Sequence, residues 1–220
     1  MADQDARERD AEGAVARGMR AQLAERDADL AGGATPVGWK IGFNTPAIQQ
    51  TFGLTEPVVG YLTDSRVSTG AVPVSLEGWG SPAVEVELAI RVGTDLLPAG
   101  FAPALELVDL DVSFDDIEPV LAGNICHRGV IFGDEVAGAD PWAMVAQVVK
   151  EGAVVAEGRI TEEPALTAEF VGRFLAAHGA TLAPGDRIIA GSVVPPVAVA
   201  PGDALHVTFG PLGELRVAFA

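Results

Sequence analysis

The sequence predicts an α+β fold in which strands outnumber helices and form one large domain. A hydrophobic content of 49% over 220 residues is enough for a sizeable core. Short aliphatic and β-branched runs alternate with turns drawn from 15 prolines and 26 glycines, which is typical of many short strands. Helical spacing is confined to a few stretches, so an all-helical architecture is disfavoured.

The net charge and the cysteine content limit which partners the protein can bind and in which cellular compartment it is expected. The chain has 14 Lys and Arg against 31 Asp and Glu, and the net charge of −17 makes binding to a nucleic-acid backbone unfavourable. Cys126 is the single cysteine, so an intrachain disulfide is excluded, which is compatible with a reducing cytoplasm and equally with a secreted protein that has no disulfides. The charged N-terminal segment resembles neither a signal peptide nor a membrane span. We therefore expect a cytoplasmic protein without nucleic-acid or membrane partners.

Residues 1–30 are predicted to form an N-terminal helix whose first residues are partly disordered. From about Asp5 to Asp29 the segment is rich in good helix formers, and apolar residues recur at every fourth position: Val15, Met19 and Leu23. This apolar stripe is narrow, so we expect the helix on the outside of the fold or against a partner subunit. Residues 31–220 contain neither a fixed repeat nor a low-complexity linker and are assigned to a single domain.

The first predicted strand, residues 37–43, carries a lone lysine in an apolar run flanked by glycines. Lys40 either reaches solvent from a strand end or has a functional role, because lysine is seldom buried without a partner. A short helix over residues 47–52 follows, with Thr45 as its cap and Pro46 at its first position. The apolar run 58–65 then ends near Asp64, which is either a turn former or a functional acid.

The next long strand, residues 83–92, contains two glutamates that point to the same face. Even positions are aliphatic while odd positions are small or charged, which is the period of a half-buried strand. Glu85 and Glu87 are two residues apart, so their backbones lie about 7 Å apart and their carboxylates can converge on one cation. Paired acids on a solvent-facing strand are also common, and from this pair alone both interpretations remain.

A second apolar run, residues 104–112, has Glu106 embedded near its start. An unpaired buried charge costs several kcal/mol or is neutralised, so Glu106 needs a partner and is a third candidate oxygen ligand. Residues 115–118 are predicted to be an acidic loop. They are followed by an unusual polar cluster before another strand: Asn124, Cys126, His127 and Arg128. Cys126 has no visible activating partner and is not predicted to be a nucleophile.

The remaining elements are mostly strands. Residues 72–74 form a short strand, residues 145–150 and 153–156 form a hairpin, and residues 167–177 form a helix with Gly179 at its C-terminal cap. The last strands are separated by Pro-Gly-Asp turns and cover residues 187–190, 197–199, 204–209 and 214–219.

Five motifs stand in a fixed order along the chain. They are Gly38-Trp39-Lys40-Ile41-Gly42, Tyr61-Leu62-Thr63-Asp64, Val84-Glu85-Val86-Glu87-Leu88-Ala89, Leu105-Glu106-Leu107-Val108, and Gly191-Ser192-Val193-Val194-Pro195-Pro196-Val197 with the turn Pro201-Gly202-Asp203. In order and spacing these motifs resemble the fumarylacetoacetate hydrolase superfamily, in the branch of 2-keto-4-pentenoate (2-hydroxypentadienoate) hydratases and 4-oxalocrotonate decarboxylases. The similarity runs from about residue 20 to the C-terminus.

This resemblance implies a mixed, largely antiparallel β-roll with a few flanking helices, so that residues 31–220 would be a single catalytic domain. Glu85, Glu87 and Glu106 would bind Mg²⁺ or Mn²⁺, which prefer oxygen ligands. Lys40 and Asp64 would be the catalytic acid and base. Substrate would contact two residues of the loop after residue 191, Ser192 and Val193, and three of the polar cluster, Asn124, His127 and Arg128.

The implied activity is that of a divalent-metal-dependent lyase that hydrates a small 2-keto acid or 2-hydroxydienoate through a metal-stabilised enolate. The alternatives are a 4-oxalocrotonate-type decarboxylase, an acylpyruvate C–C hydrolase, or a catalytically altered partner subunit. The segment Gly123–Arg128 departs from the branch's usual pattern, and His127 and Arg128 could bind a second carboxylate or supply a proton. The family also implies a homo-oligomer, in some cases with a related hydratase or decarboxylase subunit.

Overall fold

The computed structural model describes residues 2–136, 138–161 and 163–220. The first residues of the chain were expected to be partly disordered. Met1 lies outside the described residues, and the expectation stays a prediction. The described part of the chain contains the α-helices α1 (Ala2–Ala31), α2 (Pro46–Phe52), α3 (Ile117–Ala122) and α4 (Pro164–Ala177). Within that part, no helix is long and apolar enough to cross a membrane.

Most of the remaining regular secondary structure is in β-strands. They are β1 (Pro36–Gly42), β2 (Val58–Thr63), β3 (Val67–Ser68), β4 (Pro82–Val92), β5 (Pro98–Asp109), β6 (His127–Phe132), β7 (Val145–Lys150), β8 (Ala153–Arg159), β9 (Arg187–Ser192), β10 (Val197–Ala198), β11 (Ala204–Thr208) and β12 (Glu214–Ala218).

The strands form a large mixed sheet and a small antiparallel one. The large sheet has the order β2-β1-β9-β4-β5-β6-β3, with β10 paired to β4, and the small sheet has the order β12-β11-β7-β8. Pairings β1–β9 and β3–β6 are parallel, and the other pairings of the large sheet are antiparallel. The predicted α+β class, with mixed and largely antiparallel strands and few helices, is confirmed.

Strands β4 and β5 lie at the centre of the large sheet and are buried on both faces. Leu88, Ile90 and Leu105 are at most 1% exposed. Each such side chain stabilises the fold by about 1.5–3 kcal/mol relative to leaving it in water. Glu87 and Glu106 on the same strands are also fully buried, and Glu85 is partly buried. The interpretation of the glutamate pair as a solvent-facing strand surface is therefore excluded.

Helix α1 packs along α3 of its own chain. Met19 and Gln22 are fully buried there, the Gln22 side chain donates to the Leu121 carbonyl at 2.9 Å, and Arg17 pairs with Glu118 at 2.6 Å. For a helix with a narrow apolar stripe, two positions were expected, on the outside of the fold or against a partner subunit. The observed position agrees with the first of them.

Two short segments differ from their predictions. The segment expected to be an acidic loop leads into α3, because the side chain of Asp116 accepts a hydrogen bond from the Glu118 amide and caps that helix. The strand expected over residues 72–74 is reduced to a single bridge between Val74 and Phe219. Pro73 has no amide to donate to a ladder, and both Val72 and Pro73 are exposed.

Candidate active site and metal centre

Three glutamates meet where β4 and β5 pair. Glu85 on β4 lies directly opposite Glu106 on β5, and Glu87 projects from the same face of β4 as Glu85 because strand side chains alternate. A carboxylate oxygen from each of the three lies within 4.8 Å of one from each of the others. The strand register, which brings residues 21 positions apart into one pair, therefore creates the cluster.

Lys40 reaches this cluster from β1. Its side chain is 1% exposed, and its ammonium group donates to Glu106 Oε1 and to the carbonyl of Ile125 at 2.9 Å. Gly60 lies opposite Lys40 on β2. A Cβ at Gly60 would lie 2.8 Å from Lys40 Cγ and 2.6 Å from Asn124 Oδ1. Glycine at this position therefore leaves the space that the lysine stem needs.

His127 holds Glu106 from the other side. Its Nδ1 lies 2.8 Å from Glu106 Oε1, and the imidazole is 2% exposed. Burial lowers the pKa of His127 and outweighs the hydrogen bond to Glu106, which acts in the opposite direction. A neutral imidazole must then donate from Nδ1 to the carboxylate, which leaves Nε2 as an acceptor without a partner in the described part of the chain.

The turn before β6 positions a main-chain acceptor for Lys40. Asn124, Ile125 and Cys126 have φ values of 57°, 53° and 63°, and a β-branched residue such as isoleucine is rare in that region. The amide side chain of Asn124 fixes the turn, because Oδ1 accepts from the Tyr61 amide and Nδ2 donates to the Tyr61 carbonyl, both at 2.9 Å. Strand β2 and the turn are thereby joined beside the lysine.

Three ionised glutamates would carry more negative charge than one lysine can balance. Burial, followed by repulsion from Glu106, raises the pKa of Glu85 to about 7. Burial and the neighbouring carboxylates also raise the pKa of Glu87 well above its usual range. Burial opposes ionisation of Glu106 as well, but the ion pair with Lys40 and the bond from His127 outweigh it and lower its pKa. Burial also works against the Lys40 ammonium, and the surrounding carboxylates reverse that effect and raise its pKa.

The donor set fits a hard divalent cation. Glu87 Oε1 and Glu106 Oε2 are buried and have no hydrogen-bond partner in the described residues, which is costly unless another group satisfies them. A cation that binds oxygen at about 2.0–2.6 Å spans ligand atoms up to about 5 Å apart, which matches the spacing of the cluster. The amide of Gly191 holds the other oxygen of Glu87 at 2.8 Å. The first oxygen is thereby left free to act as a ligand.

A cavity of about 570 Å³ opens beside the cluster and is bordered by Lys40, Glu85 and Ser192. The walls come from the β1–α2 connection, from the segment between β5 and α3, from the turn before β6, and from the loop after β9. Most of the wall residues are apolar, among them Phe43, Leu110, Phe114, Val193 and Pro195. The cavity is large enough for a small organic acid whose polar end meets Lys40 and Glu85.

Asp64 is not brought to Lys40. It is exposed at the far end of the β1–β2 pair, where Thr35 donates to it from its amide at 2.8 Å and from its hydroxyl at 2.7 Å. These bonds from Thr35 lower the pKa of Asp64. The prediction that Lys40 pairs with Asp64 is therefore wrong, because the register places Gly60 rather than Asp64 opposite the lysine. Lys40 pairs with Glu106 instead.

The predicted substrate contacts divide into two groups. Ser192 and Val193 border the cavity, although the Ser192 hydroxyl donates to the Val194 carbonyl at 2.7 Å. Asn124, His127 and Arg128 are not among the residues that line it. Asn124 and His127 are buried and make their contacts with Tyr61 and Glu106. Arg128 binds Asp109 at 3.0 Å.

The contacts of several site residues carry no clear signal in the sequence, even where the residue belongs to one of the five motifs, as Gly191 does. Gly191 has a φ of 97°, and a Cβ there would lie 2.4 Å from the Asn44 side chain. Its amide becomes a contact of Glu87 only through the pairing of β4 with β9. The cavity walls Phe43 and Phe114 come from loops far apart in the chain, so neither periodicity nor spacing could have united them.

No protein-family model matches the chain. It is 28% identical to the TodF product hydratase of Pseudomonas putida over 211 residues, covering 87% of this chain and 79% of the relative. It is also 28% identical to the 2-oxo-hept-4-ene-1,7-dioate hydratase of Escherichia coli over 217 residues, covering 86% and 81%. Among solved structures, 4-oxalocrotonate decarboxylase from Pseudomonas putida G7, complexed with magnesium and adipate, matches with a TM-score of 0.84 at 23% identity over 92% of this chain and 85% of that chain. The resemblance inferred from the ordered motifs is confirmed.

Proposed function

We propose that this chain is a divalent-metal-dependent hydro-lyase that hydrates a small 2-keto acid or 2-hydroxydienoate of the 2-keto-4-pentenoate type. The observation that carries the proposal is the set of three clustered carboxylates, two of them with unpartnered buried oxygens, beside Lys40 and a largely apolar cavity. The sequence similarity to hydratases points in the same direction.

Glu85, Glu87 and Glu106 would hold the cation, and all-oxygen ligation favours Mg²⁺ or Mn²⁺. When bound, the cation would supply a Lewis acid that binds the carboxylate and keto oxygens of a 2-keto acid and stabilises negative charge on them.

Within this arrangement Lys40 is the proposed proton carrier. Hydration of 2-hydroxypenta-2,4-dienoate requires the enol proton to leave, a proton to reach the terminal carbon, and water to add across the remaining double bond. Lys40 is the only cationic side chain among the described residues that line the cavity. Its bonds to Glu106 and to the Ile125 carbonyl fix the ammonium group at the polar end of the cavity, so that it can donate a proton there and, once neutral, take one back.

The apolar walls have a second role in this proposal. Phe43, Phe114 and Val193 limit the number of water molecules around the substrate. Fewer competing waters strengthen the electrostatic effect of Lys40 on developing charge. We also propose a cytoplasmic location, because a chain with a single cysteine can form no intrachain disulfide, and a homo-oligomer, because the resemblance to this family implies one.

The proposal is tested by following loss of the dienol absorbance of 2-hydroxypenta-2,4-dienoate with Mg²⁺ and with EDTA. We expect the chelator to reduce the rate at least about 100-fold and Mg²⁺ or Mn²⁺ to restore it. Glu87→Gln and Lys40→Met should each reduce kcat/KM by about 100-fold or more, whereas Glu77→Gln, which changes an exposed glutamate, is the matched control. Equal rates with Mg²⁺ and with EDTA would contradict the proposal.

Assays on the same purified protein distinguish two alternatives to hydration. Release of carbon dioxide from 4-oxalocrotonate, without hydration of the dienoate, would identify a decarboxylase. Activity that depends on adding a related hydratase or decarboxylase would identify a partner subunit.

A further inference from the structure

Most of the cavity wall is apolar. Apart from Lys40 and Glu85, the described residues that line the cavity are uncharged, and the polar ones among them are Asn44, Thr45 and Ser192. Leu110, Phe114 and Pro196 are among the apolar walls, from segments that follow β5 and β9. Lys40 and Glu85 lie close enough to interact electrostatically, so the two charged groups occupy one end of the cavity.

Three phenylalanines stabilise this wall. Phe43 stacks on Phe52 with ring centroids 5.2 Å apart, and Phe114 lies 6.3 Å from each of them. Phe43 and Phe114 border the cavity, while Phe52 packs behind them. Rings in such a cluster support one another, so the wall presents a continuous apolar surface rather than separate mobile side chains.

The nearby cations are used elsewhere. Arg128 binds Asp109 at 3.0 Å and lies over the ring of Trp79 at 5.8 Å, and Arg66 donates to the His127 carbonyl at 3.2 Å. Neither residue lines the cavity. Lys40 is held by Glu106 and Ile125 at the polar end. A carboxylate at the far end of a substrate would thus find no positive partner among the described residues that line the cavity.

We propose that this cavity selects a 2-keto acid with a single carboxylate and an apolar tail and rejects one with a second carboxylate at the tail. The inference rests on the proposed function, because it assumes that the 2-keto acid end binds at the glutamates. An apolar tail gains from burial against the phenylalanines. A second carboxylate loses its hydration without gaining a cationic partner.

The test compares two non-reacting six-carbon ligands that differ only at the tail, 2-oxohexanoate and 2-oxoadipate, by calorimetry with saturating Mg²⁺. We expect 2-oxohexanoate to bind at least about 100-fold more tightly. Oxalate, which has no tail, reports on the metal end alone. Failure of oxalate to bind in Mg²⁺ would overturn the proposed function and this inference with it. If oxalate binds and the two six-carbon ligands bind equally, the inference alone is overturned.

A charge placed in the wall tests the physical cause. Phe114→Arg should tighten binding of 2-oxoadipate at least about tenfold and weaken that of 2-oxohexanoate, because the new guanidinium can pair with the tail carboxylate. Leu97→Arg is the matched control. Leu97 is 53% exposed on the β4–β5 connection, so an arginine there adds the same charge outside the cavity. Unchanged oxalate binding would show that each variant keeps its site. An equal gain of 2-oxoadipate affinity in both variants would contradict the inference.

Discussion

Replacing Glu85 with glutamine should stabilise the metal-free protein at about pH 8 and have a smaller effect at about pH 5.5. Burial and the nearby Glu106 raise the pKa of Glu85 from 4.5 to about 7, so the folded protein holds this proton more tightly than the unfolded chain does. The contribution of the group to stability is therefore complete below about pH 4.5 and is lost as the pH rises through about 7.

The size of the effect follows from the shift. A rise of about 2.5 pH units corresponds to about 3 kcal/mol at high pH, at 1.36 kcal/mol per unit, and about 2 kcal/mol of it falls between about pH 5.5 and pH 8. The difference in unfolding free energy between Glu85→Gln and the wild type should grow by that amount over this range in EDTA. Saturating Mg²⁺ should remove the trend, because a bound cation favours the ionised carboxylate.

Urea denaturation at several pH values measures this difference, with Glu77→Gln as the control for losing an exposed carboxylate. A constant difference between Glu85→Gln and the wild type in EDTA would refute the reasoning. It would mean that Glu85 ionises in the metal-free protein as easily as in the unfolded chain, and that the three carboxylates do not repel one another.

Three further predictions concern residues around the cluster. Asn124→Ala should reduce the unfolding free energy by about 3 kcal/mol in urea denaturation, since it leaves the amide and the carbonyl of Tyr61 unpaired. A reduction below about 1 kcal/mol would show that the Asn124 side chain does not stabilise the contact between β2 and the turn. Asp64→Asn should change kcat/KM by less than about threefold, because Asp64 contacts Thr35 outside the site, and a loss of about 100-fold would restore it as a catalytic candidate. Burial raises the pKa of Cys126 to about 11, so its thiolate fraction at about pH 8 is about 100-fold below that of a cysteine of pKa 9. Because a more basic thiolate is also more nucleophilic, iodoacetamide should modify Cys126 at least about tenfold more slowly, with a rate that rises about tenfold per pH unit. A fast reaction at neutral pH would show that the thiol is activated.

Much of the fold could be predicted because its signals are local. Alternating aliphatic residues identified β4, and the Pro-Gly-Asp turns separated the last strands. Helix α3 was missed because its six residues are too few to display a periodic pattern, and its start depends on a cap by Asp116. The short segment around Val74 has a strand-like composition, but a proline and exposure to water leave it with a single bridge.

The sequence by itself determined that Glu85 and Glu87 share one face of a strand, since side chains alternate along β-structure whatever the surroundings. It also identified Glu106 and Lys40 as polar residues in apolar runs that need partners. Only the tertiary structure decided which partners they have. Strand order and register are long-range properties, and they place Glu106 opposite Glu85, bring His127 to Glu106, and leave Asp64 at the far end of its strand pair. The apolar cavity wall was likewise decided by packing, because Phe43 and Phe114 come from loops that are far apart in the sequence and adjacent in the folded chain.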